Sequence, residues 1–227
     1  MWPVLQKYTL PSFQRYGVVQ GYNVTAHQLA TDSRARKDLA AKQARWQKIR
    51  IIRQSLQKSS MVVWFDADVV ILRTDQDIAI HLKPTDFQGL VMHQVPAEDR
   101  INPNTGVWVL RNCPEAFAFL DAAEAGGIPP GRWTDQAAVM RVLEWNCGDE
   151  RYVGARPPSM PNHFMNSTAW LPTGWNQPYC DNRPNPEAYI GRPLVDKPYA
   201  VHFMAMTIAD RLKYMPALNQ PHGGDHV

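Results

Sequence analysis

Two aspartates, Asp66 and Asp68, follow directly on an apolar run in this sequence. Carboxylates at positions i and i+2 of an extended chain project to the same side. Two carboxylates this close together repel each other, and burial strengthens the repulsion. A hard divalent cation relieves it, and Mg²⁺ or Mn²⁺ takes oxygen ligands while also bridging phosphates. The Asp-x-Asp (DxD) motif therefore predicts a metal site for a phosphate-containing ligand. The simpler alternative is a strand-end turn with two solvated aspartates.

The residues around the motif predict a strand that ends where the aspartates begin. The run Met61–Phe65 is apolar without alternation, as in a strand buried on both faces, and the apolar pattern resumes at 69–72. Further strands are predicted at 87–93, 107–110 and 199–203, with a short one at 22–26. Because open α/β sheets bind ligands at the carboxyl ends of their strands, this placement favours a functional role for Asp66 and Asp68.

Helices are predicted between these strands. The clearest is 35–56, where Leu39, Trp46, Ile49, Ile52 and Leu56 form one apolar stripe. The others are 3–16, with Pro11 as a kink, 114–124 and 135–145. Helices alternating with buried strands indicate an α/β sandwich with a mostly parallel sheet. From about residue 156 the chain is rich in Pro, Asn and Trp, which predicts loops laid over the sheet within a single domain, 1–227.

Composition narrows the class of protein. The 227 residues are 44% hydrophobic and 20% charged, which excludes wholesale disorder and coiled-coil or collagen-like chains. The net charge of +3 is too small to indicate a nucleic-acid partner. Cys113, Cys147 and Cys180 show no paired spacing and are expected to be reduced. No run approaches the roughly 18 apolar residues of a membrane span, and the start lacks a signal-peptide pattern. We therefore expect a cytoplasmic protein, with peripheral membrane association left open.

Two enzyme classes place a DxD motif after an apolar strand. Asp66-Ala67-Asp68-Val69-Val70 nearly fits the motif of haloacid-dehalogenase-like phosphatases. That family places the motif near the start of the chain and adds a late Gly-Asp-x-x-x-Asp. Here 65 residues precede Asp66, and Gly148-Asp149 is followed by Val153 where the second aspartate should be. The phosphatase hypothesis is therefore the weaker of the two.

Six short blocks, in order along the chain, carry the second hypothesis. They are Trp46-Gln47-Lys48-Ile49, Val63-Trp64-Phe65-Asp66-Ala67-Asp68, Asn104-Thr105-Gly106-Val107-Trp108-Val109-Leu110-Arg111, Asp135-Gln136, Asn166-Ser167 and His202-Phe203. In order and approximate spacing they resemble glycosyltransferase family 34, the galactosyl-, mannosyl- and xylosyltransferases of fungi and plants with bacterial relatives. The resemblance covers roughly residues 2–206. It implies the GT-A fold, a Rossmann-like three-layer α/β sandwich with a mostly parallel central sheet.

The same resemblance implies a metal site. Asp66 and Asp68 would hold Mn²⁺ or Mg²⁺ on the diphosphate of the donor, and His202 would be the third protein ligand. Asp66 could instead contact the ribose. Taken alone, a histidine beside apolar residues such as His202 is more often a hydrogen-bonded core residue.

Donor-binding and catalytic roles follow from the other blocks. By resemblance, Lys48 would contact the diphosphate, Asn104 and Gly106 would line the donor-sugar pocket, and Asp135 and Gln136 would lie beside the anomeric carbon. Asn166 has a weaker claim on the sugar. Without the resemblance, an Asn-x-Gly segment is an ordinary turn and an aspartate in a first helical turn is an ordinary capping residue.

The implied reaction is metal-dependent transfer of a hexose or pentose from a UDP- or GDP-sugar to a hydroxyl of a glycan or glycoconjugate, with retention of configuration. Trp133, Trp170, Trp175 and Tyr179 either stack on an acceptor sugar or form loop core. A non-catalytic nucleotide- or glycan-binding relative is the alternative.

The start of the chain departs from the family pattern. In the GT-A fold a strand precedes the first helix, and its loop grips the nucleotide base. Here Met1-Trp2 leads directly into residues that resemble the first helix. We expect either that the chain begins after that strand or that another element replaces it.

Overall fold

The computed structural model of the protein describes residues 5–28, 37–131, 133–147, 152–179, 194–204 and 206–218. A π-helical turn, Leu5–Thr9, precedes the first helix, and 3₁₀ turns lie at Ile78–His81, Pro96–Glu98 and Thr173–Asn176. The other helices and strands are α1 (Leu10–Gln20), α2 (Lys37–Leu56), β1 (Met61–Phe65), β2 (Val69–Ile71), β3 (Gln88–Val95), β4 (Arg100–Arg111), α3 (Pro114–Ala125), α4 (Thr134–Val142), α5 (His163–Asn166), β5 (Thr168–Leu171), β6 (Gln177–Pro178), β7 (Ala200–His202) and α6 (Ile208–Leu218).

Within the described ranges, the main sheet has four strands in the order β1-β4-β3-β5. β4 runs antiparallel to both of its neighbours, whereas β5 is parallel to β3. The predicted α/β class is confirmed, but the sheet is mixed rather than mostly parallel in its pairing. The reason is the short connection around Pro96–Glu98, because a link of that length joins only antiparallel neighbours. β1, β3 and β5 still point the same way.

Helices α2, α3 and α4 cover one face of this sheet. Their apolar side chains form one core cluster with Trp108 and Leu110 of β4. Ile49, Ile52 and Leu56 of α2 are fully buried in it, so this part of the predicted stripe lies on the core face of that helix. α2 ends where predicted, and positions 35 and 36 lie outside the described residues.

A second sheet, in the order β2-β7-β6, covers the other face. Val107 and Val109, alternating with the residues of the first core, pack there against Tyr16 of α1 and Trp175. A third cluster, which includes Val201 and Met215, lies between the second sheet and α6. The molecule therefore has the predicted three layers. The chain after residue 156 is more than loops, since it supplies β5 to the main sheet and β6 and β7 to the second.

Two local predictions were wrong. Residues 22–26 form no strand and follow α1 as irregular chain. The five residues of β1 are each only partly buried, because β1 is an edge strand that pairs, among the described residues, with β4 alone.

Cys113 and Cys147 pack, partly buried, against the core cluster of the helical layer. Cys113 and Cys147 are free thiols. Met1-Trp2, Gly148-Asp149 and Cys180 lie outside the described residues. In the part of the chain that the structure describes, no helix combines the length and apolar character that a membrane crossing requires.

Candidate active site

The DxD motif forms the turn between β1 and β2, and main-chain bonds hold it against both sheets. The Asp66 N–H donates to the carbonyl of Gly106 in β4 (2.8 Å), and the Val69 N–H donates back to the Asp66 carbonyl (2.9 Å). The Phe203 N–H donates to the Asp68 carbonyl (2.9 Å). The motif is therefore fixed at the carboxyl end of β1, where the sequence placed it.

Three potential ligand groups converge at this turn. One ligand atom each from Asp66, Asp68 and His202 lies within 4.8 Å of the others. His202 is the last residue of β7 and pairs with Val69 of β2, so the second sheet carries it to the motif. Its Nε2 lies 3.2 Å from Asp68 Oδ1. Two carboxylates and one imidazole suit Mn²⁺, and two carboxylates with water suit Mg²⁺.

Arg211 of α6 holds the second oxygen of Asp68. Its guanidinium donates to Asp68 Oδ2 (2.6 Å) and, through Nε, to the Phe203 carbonyl (3.2 Å). Burial raises the pKa of Asp68, but His202 in its protonated form, together with Arg211, outweighs burial and holds that pKa below its usual range. Sequence reasoning missed Arg211, because nothing local distinguishes it from other helical arginines.

Lys48 joins the two acidic parts of the site. Its Nζ lies 3.0 Å from Asp66 Oδ1, 3.0 Å from Asp135 Oδ2 and 2.5 Å from the Thr105 carbonyl oxygen. An ammonium has three N–H donors, and these contacts use all three. Burial lowers the pKa of Lys48, but Asp135 and Asp66 outweigh burial and raise it. In this geometry Lys48 holds two carboxylates in place, and the direct diphosphate contact implied by resemblance stays a prediction.

Asp135 lies in the first turn of α4 and is almost fully buried. Its Oδ2 accepts from Thr105 Oγ1 (2.8 Å) as well as facing Lys48. Burial raises the pKa of Asp135, but Lys48 and the Thr105 hydroxyl outweigh burial and lower it. The carboxyl is therefore ionised at neutral pH.

A bulge in β4 aims residues at the site. Leu90 of β3 pairs with Trp108 and Val91 with Asn104, so residues 105–107 have no partner in β3. Bulges of this kind bend a strand and redirect its side chains. Here the bulge directs the Thr105 hydroxyl to Asp135 and brings the Gly106 backbone against His202.

Gly106 is required by this close approach. A Cβ at position 106 would lie 2.2 Å from His202 Cε1. We expect Gly106→Ala to displace the imidazole, to lower the free energy of unfolding by about 1–3 kcal/mol through overpacking and to weaken Mn²⁺ binding. Urea unfolding with and without Mn²⁺ measures both effects. Gly174→Ala is the matched control, since its nearest neighbour would be 3.5 Å away. An unchanged Mn²⁺ response in Gly106→Ala would contradict the assignment of His202.

Two asparagines lie behind His202. Asn104 Oδ1 accepts from the Gly106 N–H and from Asn176 Nδ2, both at 2.8 Å. Asn176 Oδ1 lies 2.9 Å from His202 Nδ1. Asn104, the residue expected to line the sugar pocket, thus uses its side-chain oxygen to support the site. Asn176 was not identified from the sequence, where it stands among loop residues.

The structure does not bring Asn166 to the cluster. It is an exposed residue at the end of α5, immediately before β5. Because β5 runs in the direction of β3 and β1, the start of β5 lies at the opposite end of the sheet from Asp66. Asn166 therefore lies away from Asp66, Asp68 and His202.

All four candidate stacking rings already have packing partners. Trp175 is fully buried and stacks on Tyr199, and Tyr179 stacks on Phe203. The Trp133 ring stacks on Tyr152, with 4.3 Å between the ring centroids, and Arg100 Cζ lies 4.5 Å from the centroid of the Trp133 ring. These contacts favour the loop-core alternative for Trp133, Trp175 and Tyr179. Trp170 contacts Trp145 edge to face, with 6.0 Å between the ring centroids, and is 36% exposed.

A cleft of about 1430 Å³ runs along the open side of β1 and over the cluster. Its lining includes Lys48, Asp66, Asp68, Asp135, Gln136 and His202. A volume of this size exceeds what a drug-sized ligand needs. The acidic, basic and imidazole groups therefore face one shared space.

No protein-family model and no curated protein matches the sequence. Among solved structures, the chain is similar to a glycosyltransferase involved in glycosylation of the major capsid of PBCV-1, with a TM-score of 0.56 and 15% identity over 94% of this chain and 92% of that chain. Mouse xyloside xylosyltransferase 1 in its apo form gives a TM-score of 0.43 and 12% identity over 71% of this chain and 64% of that chain. The first similarity shows a shared fold. The chain therefore has the GT-A type of α/β fold that the sequence predicted.

Proposed function

We propose that the protein is a metal-dependent glycosyltransferase. It moves a hexose or pentose from a nucleotide-diphosphate sugar, a UDP- or GDP-sugar, to a hydroxyl of a glycan or glycoconjugate, with retention. The observation that carries the proposal is the convergence of Asp66, Asp68 and His202 in the cleft of a GT-A type fold. The fold lends no support to the phosphatase hypothesis.

The residues present fit a divalent cation. Asp66, Asp68 and His202 supply two carboxylates and an imidazole, a donor set that favours Mn²⁺ over Mg²⁺ because Mg²⁺ prefers oxygen alone. Asp66 is 34% exposed at its side chain and so faces the cleft, whereas Asp68 is the inner ligand. When bound, the cation neutralises negative charge that develops on the departing diphosphate.

Side chains of the protein would stabilise the positive charge that develops on the sugar. As the sugar–phosphate bond breaks, the anomeric carbon becomes positive, and an ionised carboxylate preorganised nearby stabilises that charge. Asp135 is such a group, fixed by Lys48 and Thr105, and Gln136 lines the cleft beside it. We infer that the acceptor hydroxyl attacks the anomeric carbon from the face that the diphosphate leaves.

A thermal-shift panel with UDP, GDP, CDP and ADP, each with and without Mn²⁺, tests the proposal. Binding to the native state alone raises the melting temperature, and a ligand at about a hundred times its Kd adds roughly 2.7 kcal/mol. We expect stabilisation by one nucleotide and only with Mn²⁺. The matching nucleoside, which lacks the diphosphate, is the control.

The outcomes separate the alternatives. Stabilisation without consumption of any donor sugar would indicate a non-catalytic binding relative. Release of phosphate from an aryl phosphate would favour a phosphatase. No metal-dependent shift with any nucleotide would contradict the proposal.

A further inference from the structure

A chain of hydrogen bonds runs from a backbone amide to the imidazole of His202. The Gly106 N–H and Asn176 Nδ2 both approach Asn104 Oδ1 at 2.8 Å, and Asn176 Oδ1 lies 2.9 Å from His202 Nδ1. Asn176 and His202 are both buried, with 0% and 4% of their surfaces exposed. Because these groups are buried, water cannot readily replace any of them as a hydrogen-bond partner.

The Gly106 N–H, which can only donate, determines which atom donates and which accepts in each of the other hydrogen bonds. A backbone N–H can only donate, so the Asn104 atom that faces Gly106 is the amide oxygen. That oxygen accepts, so the Asn176 atom that faces it is the NH₂ group. The remaining Asn176 atom is then the oxygen, which accepts a hydrogen bond. His202 Nδ1 must therefore carry a proton.

The consequence falls on the other ring nitrogen. In a neutral imidazole only one nitrogen carries hydrogen, so a proton on Nδ1 leaves a lone pair on Nε2. This lone pair faces Asp68 Oδ1 at 3.2 Å. Two acceptors at that distance repel each other unless a cation or a proton lies between them. The arrangement thus presents Nε2 to the place where Asp66 and Asp68 converge.

We propose that Asn176, oriented by Asn104, is a positioning residue that fixes His202 in the Nδ1–H tautomer and so makes Nε2 the ligand atom. The proposal rests on the metal site of the proposed function. His93 supports it from behind, because His93 Nε2 lies 2.9 Å from the Asn176 carbonyl oxygen and anchors the main chain of that residue. Partners of this kind, once lost, typically cost 10–100-fold in metal affinity.

Nitrogen-15 NMR of the imidazole tests the tautomer without metal or substrate. The spectrum is recorded at about pH 8, where an ordinary imidazole is neutral, and His202→Gln identifies the signals. In the wild type we expect the shift of a protonated nitrogen at Nδ1 and of an unprotonated nitrogen at Nε2. In Asn176→Ala the proton should move to Nε2, where it can bond Asp68, and Mn²⁺ affinity measured by electron paramagnetic resonance should fall about 10–100-fold.

A second variant separates orientation from packing. Asn104→Asp keeps the acceptor that faces Gly106 and Asn176, so it should retain the wild-type tautomer, whereas Asn104→Ala should shift toward the Nε2–H form. The wild-type spectrum is decisive even if Asn176→Ala does not fold, because Nε2–H there would overturn the proposal. An unchanged tautomer in a folded Asn176→Ala would overturn it too. A wild-type Nδ1–H tautomer without Mn²⁺ binding would contradict the proposed function and uphold the tautomer assignment.

Discussion

An Asp68→Asn variant is expected to lose metal-dependent donor turnover by about 10²–10³-fold, the usual cost of removing one group that stabilises developing charge. Asp68 is the inner carboxylate of the cluster. Its Oδ2 accepts a hydrogen bond from Arg211, and its Oδ1 lies 3.2 Å from His202 Nε2. Asparagine keeps the shape and one acceptor but not the negative charge. Cation binding should therefore fail while the fold survives. Mn²⁺-dependent release of nucleoside diphosphate from the donor identified by the thermal-shift panel measures the loss.

The matched control for this change is Asp121→Asn. Asp121 is also paired with an arginine, Arg53, but the pair is exposed and lies on the helical layer away from the cleft. The same chemical change there should leave both turnover and Mn²⁺ binding unaltered. His202→Ala should behave like Asp68→Asn. Full turnover in folded Asp68→Asn protein would rule out the metal-site assignment.

Lys48→Met is expected to be the most destabilising substitution in the site, lowering the free energy of unfolding by about 3–5 kcal/mol at neutral pH. Lys48 is a buried cation between Asp66 and Asp135, and its removal leaves Asp135 buried without its main counter-charge. Methionine fills a similar volume, so packing is largely kept. Urea unfolding gives the free energy, and Lys83→Met, at an exposed lysine, is the control.

The loss of unfolding free energy in Lys48→Met should become smaller as pH falls. In the wild type the pKa of Asp135 is lowered, so its ionised form adds stability above the unfolded-state pKa, and this is lost as pH falls through the folded-state pKa. In Lys48→Met, burial still raises the pKa of Asp135, but the Lys48 charge that lowers this pKa in the wild type is gone. Protonation then relieves the buried charge, and the difference in stability between wild type and Lys48→Met should narrow as pH falls from neutral. A gap of constant size would argue against the buried charge as its cause.

The positions of Asp66 and Asp68 at the end of a strand were predictable because their signal is local. An apolar run followed by Asp66 and Asp68 predicts both the strand and the position of the carboxylates at its end. The helix stripe through Ile49 and Ile52 was equally readable, since burial on one face of a helix leaves a periodic pattern. His202 came from resemblance alone, because a histidine after a short apolar run is chemically ambiguous.

The remaining parts of the site depend on contacts that no local pattern encodes. Arg211 reaches Asp68 only because α6 packs on β7, and Asn176 reaches His202 only because the second sheet folds over β4. The sequence also did not predict the β4 bulge, since residues 105–107 remain part of the strand and only their pairing with β3 is interrupted. Asn166 lies at the other end of the sheet from Asp66, and the sequence does not show this because the order of motifs along a chain does not say at which end of a sheet each one lies.

The short strand β7 has a consequence for how much of the protein can bind ligand at any moment. β7 is paired through three residues to β2 and through two to β6, yet it carries His202. Opening of β7 and α6 would remove His202 and Arg211 while β3 and β4 kept the core that they share with α2, α3 and α4. Such local openings cost less free energy than global unfolding. If the proposed site binds a cation, the apparent affinity of the folded protein therefore scales with the fraction of molecules in which β7 and α6 are closed.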